Sequence, residues 1–202
     1  MGNMTGQDSD SWFLNWPRPA QYMRNAVYLN TGTGRFNEVA FLTGLAATDW
    51  TWSIKFGDLD CDGREDVFIS TGMSRDWFNS DLRNQEEAII RSRGQAAGQA
   101  FWNDKKPLAL KNWAFRNEGD LKFSNAGKDW GLNEESVSYG TAMGDLDGDG
   151  DLDLIVNNFG SAPDVYRNGL VTGGRLSLRL RGKRKNSWAL GATVLMQTGH
   201  EP

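Results

Sequence analysis

Residues 25–73 align onto residues 112–160 without a gap, and a chain that repeats itself over such a length has few architectures open to it. Asn25, Asn30, Gly32, Phe36, Gly44, Leu45, Gly57, Asp58, Leu59, Asp60, Asp62, Gly63 and Asp66 each meet the same residue in the second copy. A repeat of this kind is one supersecondary unit whose apolar face is covered by its neighbour.

Each unit opens with a short apolar stretch ("NAVYLNTG", "NWAFRNEG"), a glycine turn, and then Phe36 or Phe123. An alternating segment follows, with Trp50, Trp52, Ile54 and Phe56 on one face and Val137, Tyr139, Thr141 and Met143 at the matching positions. Period-two alternation marks a half-buried antiparallel strand. The runs "DVFIS" and "DLIVN" are continuously apolar after their first residue, as in a strand buried on both faces. Four short antiparallel strands per unit predict an all-β protein of β-propeller-type blades, here a partial propeller, with one helical insertion between blades. The expected divisions are an N-terminal segment 1–24 at the end of a preceding blade, a blade repeat 25–73, an insertion 74–111, a blade repeat 112–160 and the start of a further blade at 161–172 ("VYRN"). In the insertion, "SDLRNQEEAIIRSRGQAAGQAFW" reads as helix, capped by Ser80 or Asp81, weakened at Gly94 and Gly98, and packed on a blade edge through Leu82, Ile89, Ile90 and Phe101.

Between the last two strands of each unit the chain crowds like charges: "GDLDCDGRED" and "GDLDGDGDLD". Carboxylates this close repel one another unless something neutralises them. Acids at loop positions 1, 3, 5 and 9, with glycine at 6, form a cage of hard oxygens, the donor set that calcium takes in six- to eightfold coordination. The expected ligands are Asp58, Asp60, Asp62 and Asp66 with the Arg64 carbonyl, and Asp145, Asp147, Asp149 and Asp153 with the Asp151 carbonyl. An EF-hand would need a bidentate Glu at position 12, where Ile69 and Val156 stand inside strand signals. Magnesium keeps its waters, and zinc would want His or Cys, of which the loops offer only Cys61, matched by Gly148. Two calcium ions acting as staples between strands are therefore the expectation.

A net charge of −4 gives no reason to expect nucleic acid, and no apolar run reaches the length of a membrane span. The start of the chain lacks the basic stretch and apolar core of a signal peptide. The single histidine, His200, sits near the end, so a triad or a histidine-metal site inside the fold is not expected. The expectation is therefore not an enzyme, with a carboxylate-pair hydrolase or a polysaccharide-active propeller as the enzymatic alternatives. Binding surfaces have two sources. Trp77, Trp102, Trp113 and Trp130 lie in or beside loops and could stack on sugars, though most tryptophans pack inside. In the tail, Arg175, Arg179, Arg181, Lys183, Arg184 and Lys185 surround Leu176, Leu178 and Leu180, an amphipathic strand with a basic face that could meet an anionic polymer.

The segments "FGDLDCDGREDVFI" and "MGDLDGDGDLDLIV", each preceded by a "YLN" or "FRN" strand and a glycine turn, resemble FG-GAP/VCBS-type repeats. Such repeats form the blades of calcium-binding propellers such as the integrin α-subunit head. Residues 173–199, with Asn186 in a basic turn and Gly191, Ala192 and Val194 after it, resemble the start of the ASPIC/UnbV domain of cartilage-acidic-protein-like chains, expected here over 173–202. The resemblance implies a secreted, cell-surface or cell-envelope module with a structural calcium and a role in adhesion or in binding a glycan or protein, or else a scaffold alone. Two units and the start of a third fall short of the four to eight blades of a closed propeller. A fragment, an incomplete propeller or self-association with missing blades supplied by copies is expected, since unpaired edge strands need cover.

Overall fold

The computed structural model describes residues 24–169, 178–183 and 185–197, and the chain divides into two compact units, 1–172 and 173–202. In the first unit the strands are β1 (Tyr28–Asn30), β2 (Phe36–Glu38), β3 (Thr51–Gly57), β4 (Asp66–Thr71), β5 (Leu110–Lys111), β6 (Trp113–Gly119), β7 (Lys122–Asn125), β8 (Glu135–Ser136), β9 (Ser138–Gly144), β10 (Asp153–Asn158) and β11 (Asp164–Tyr166). The helices are α1 (Ala40–Thr43), α2 (Ser80–Arg93) and α3 (Gln95–Phe101). Every strand pairing is antiparallel, as the alternation predicts, and none of the sheets among the described residues closes into a barrel.

The sheets are out of phase with the sequence repeat by half a unit. A four-stranded sheet runs β3-β4-β6-β7, so it takes its first two strands from repeat 25–73 and its last two from repeat 112–160. A second sheet runs β9-β10-β11, where β11 is the opening strand of the third unit. The strand pair β1–β2, which opens the first repeat, stands as a sheet of its own. Sequence identity marks a period but not where along that period a sheet begins. Here the free choice falls between the second and third strands.

Cross-strand register divides the first blade into two faces. Phe68 lies opposite Ala114 and faces the second sheet; with Leu59, Leu132, Leu154 and Val156 it makes a buried cluster against which Trp130, Met143, Leu152 and Tyr166 pack. Val67 and Ile69 point the other way and join Leu45 and Phe115, with Val27, Trp113 and Phe123 against them. Strand β4 is buried along its whole length, in keeping with its unbroken apolar run. The alternating face of β3 departs from expectation: Trp52, Ile54 and Phe56 are its exposed residues, and a bulge between Thr51 and Ser53 displaces Trp52. Ser53 faces the second sheet instead, where its hydroxyl pairs with that of Thr141 at 2.8 Å.

The insertion is helical where predicted, with a different cap. Asn79, not Ser80 or Asp81, accepts from the backbone N–H groups of Asp81 and Leu82, because its extended backbone puts the amide oxygen over the first turn. Gly94 breaks the helix at φ 85°, a left-handed conformation that favours glycine. Gly98 does not break α3; it is buried, and the α2 side chain of Ile90 fills the space a Cβ would need. The two ends of the insertion are held to each other at its base. Trp102 is buried against Trp77, the Arg75 guanidinium donates to the carbonyls of Trp102 and Asn103, and Met73 pairs with Leu108.

In the second unit the described residues contain turns and no strand, which corrects the amphipathic strand expected around Leu178 and Leu180. Both leucines are exposed and have no partner strand among the described residues. Asn186 does form a turn: its amide exchanges hydrogen bonds with the backbone of Leu190 at 2.9 and 3.0 Å. Arg175, Leu176, Arg184 and His200 lie outside the described residues, as do residues 1–23.

Candidate metal centre

Both aspartate loops join an edge strand to its neighbour in the same sheet, β3 to β4 and β9 to β10. Each is built around its first aspartate. Asp58 accepts from the N–H groups of Asp62 and Gly63 at 3.0 and 2.9 Å; Asp145 accepts from Gly148 and Gly150 at 2.7 and 3.1 Å. Gly63 and Gly150 make this closure at φ 89° and 92°, the left-handed conformation that glycine adopts without strain. Further along, Asp62 receives the N–H of Arg64, and Asp149 receives that of Asp151. The loops are thus shaped by the backbone bonding to the very carboxylates that crowd them.

One oxygen from each of Asp58, Asp60 and Asp62 lies within 4.8 Å of the others, and the same holds for Asp145, Asp147 and Asp149. Ligands at 2.3–2.6 Å from a common calcium ion stand at most about 5 Å apart, so each triad has the span that one such ion bridges. The donors are all hard oxygens, which fits calcium and does not fit zinc or copper.

Asp66 and Asp153 stand outside these triads. Asp66 is fully buried; one oxygen accepts from Leu59 N at 2.9 Å and the other from Asn117 N at 2.9 Å. Asp153 repeats the pattern with Leu146 N and Asn168 N, both at 2.8 Å. Asp66 therefore ties its own loop to β6, the next strand of the same sheet, and Asp153 ties its loop to the segment just after β11. Burial pushes the Asp66 carboxyl above its usual range, opposed by these two hydrogen bonds and reinforced by nearby Asp60 and Asp62. Asp151 is also buried, while the side chain of Arg64 reaches out to Asp62 and to the Asn117 carbonyl.

Residues that motif reading passed over complete the arrangement. Asn117 and Asn168 donate their backbone N–H groups to the position-9 aspartates, and their side-chain amides donate to Glu65 O and Leu152 O. Arg116, one residue before, pairs with Asp60 at 2.8 Å, and Arg167 pairs with Asp147 and approaches Asp149 at 3.8 Å. The signal was present as the dipeptide Arg-Asn in "FRN" and "YRN". Its meaning depends on β6 and β11 being laid beside the loops.

Of the tryptophans considered for sugar stacking, Trp102 is buried, Trp113 lies against Phe115 with rings parallel at 5.7 Å, and Trp130 packs on the core; Trp77 is partly exposed.

Antiparallel blades that share an acidic loop and a buried aspartate at matching positions define a blade-repeat protein. The chain belongs to the family of FG-GAP-like repeats, whose repeats are propeller blades: residues 8–69 and 90–156, more than half of its length, match that family. No curated protein matches the chain.

Proposed function

We propose that the chain is a calcium-binding repeat module of an extracellular or cell-envelope protein, in which calcium is structural and the assembled blades carry adhesion or the binding of a glycan or protein. The observation that supports this most is the duplication of the carboxylate triad, closed in both family repeats by a glycine N–H, Gly63 or Gly150, on the first aspartate. Asp58, Asp60 and Asp62, and Asp145, Asp147 and Asp149, would hold the ions, aided by the carbonyls of Arg64 and Asp151, with Asp66 and Asp153 completing or bracing each loop. Calcium would supply positive charge where like charges converge and so fix the turns from β3 to β4 and from β9 to β10. Nothing in this reading calls for an enzymatic role. Among the described residues no helix is long and apolar enough to cross a membrane. The Asn186 turn supports reading the tail as the beginning of an ASPIC/UnbV-like domain.

An ion that binds only the folded state stabilises it by RT ln(1 + [Ca]/Kd), about 2.7 kcal/mol per site at a hundredfold excess over Kd. For a chain of this length about 1 kcal/mol moves Tm by roughly 2–4 °C. Thermal unfolding in calcium should thus exceed that in chelator by about 10 °C or more. Equal melting temperatures in the two buffers would refute the structural role.

A further inference from the structure

We propose that the two loops take calcium in a fixed order, 145–153 before 58–66, because arginine side chains guard the first loop more closely than the second. The inference rests on the calcium reading above and adds what sets the affinity of each loop.

The two loops differ most at position 7. Arg64 stands in the first and Asp151 in the second, which reverses a charge; the remaining differences are Cys61 for Gly148 and Glu65 for Leu152. Across 58–66 five acids face one arginine; across 145–153 there are five acids and no basic residue. The Arg64 guanidinium bonds the Asp62 carboxylate, a member of the triad. Arg116 from β6 holds a second member, Asp60, at 2.8 Å. That pair is partly sheltered: the Asp60 side chain is 12% and the Arg116 side chain 41% exposed, and the Arg116 guanidinium also lies 5.3 Å from the centre of the Trp130 ring. Calcium entering the first loop must draw two carboxylates away from two guanidinium groups, one of them packed. In the second loop the single Arg167 pairs with Asp147 and approaches Asp149 at 3.8 Å, but its side chain is 73% exposed and can turn into water when the ion arrives.

A positive charge within about 4 Å of a divalent ion weakens its binding by at least about tenfold even when screened by water, a change of about 1.4 kcal/mol. Arg64, Arg116 and Arg167 are therefore positioning residues that set affinity through the carboxylates they hold.

Isothermal titration of the full chain with calcium at low ionic strength tests the order. Two phases are expected, separated by tenfold or more in Kd. Asp149→Asn should remove the tighter phase and Asp62→Asn the weaker. Arg64→Gln, which keeps the backbone carbonyl, and Arg116→Gln should each tighten the weaker phase about tenfold and leave the tighter one in place. Two sites of equal Kd, loss of the tighter phase in Asp62→Asn, or an unchanged weaker phase in both arginine variants would overturn the ordering while leaving calcium binding intact. No binding in the unaltered chain would instead overturn the calcium reading, and the ordering with it.

Discussion

Asp66 offers the sharpest test of how the loops are joined to the blades. Replacing it with alanine strands two backbone donors, Leu59 N and Asn117 N, in a place that water does not reach at the aspartate itself. Leaving a buried donor unmade costs about 1–3 kcal/mol. Two such losses sum to about 2–6 kcal/mol, and release of a carboxylate that burial disfavours returns part of this, so a net loss of about 3 kcal/mol is expected. Asp66→Asn keeps one carbonyl oxygen and removes the charge, and should cost about half as much. The assay is urea unfolding followed by tryptophan fluorescence in chelator, so that ion binding does not enter. The pH dependence carries its own sign. Because the folded-state pKa of Asp66 is raised, its contribution is fully present below the ordinary carboxylate pKa and is lost as pH rises through the raised value. Asp66→Asn should remove that decline. A loss below about 0.5 kcal/mol for Asp66→Ala would refute the argument that this side chain closes the blade.

Three further expectations follow from the same packing. Glu38 accepts from the Arg24 guanidinium, from Ala40 N and from Val27 N, which hold its carboxyl down to about 2; an NMR titration should show it ionised through pH 4, with its support of the β1–β2 pair present above the ordinary carboxylate pKa and lost progressively as pH falls from there through about 2. Gly98→Ala would place a methyl 2.3 Å from Ile90 Cγ1, so overpacking should outweigh the usual gain of alanine in a helix and cost about 1–3 kcal/mol, read as a lowered urea midpoint. Phe68→Ala empties the centre of the inter-sheet cluster and should cost about 3–5 kcal/mol by the same assay.

Much of this molecule is legible in its residues, and the illegible parts have identifiable causes. The strands are readable because alternation and unbroken apolar runs reflect burial directly, as in β4 and β9. The triads are readable because Asp58, Asp60 and Asp62 are neighbours in sequence as well as in space. What escapes a linear reading depends on which strand lies beside which. The half-unit offset between repeat and sheet, the engagement of Asp66 with Asn117 across 51 residues, and the pairing of Arg116 with Asp60 all arise once β6 is laid next to β4. The exposure of Ile54 and Phe56 likewise depends on what covers β3, which alternation alone does not say. At Trp52 a bulge shifts the pairing with β4, while the alternation of exposure continues through it.

The most direct test of the account is an anomalous difference map from crystals grown in calcium. Two peaks are predicted, one among Asp58, Asp60 and Asp62 and the other among Asp145, Asp147 and Asp149. A map without density at either triad, from crystals whose mother liquor holds calcium well above the titrated Kd, would contradict it.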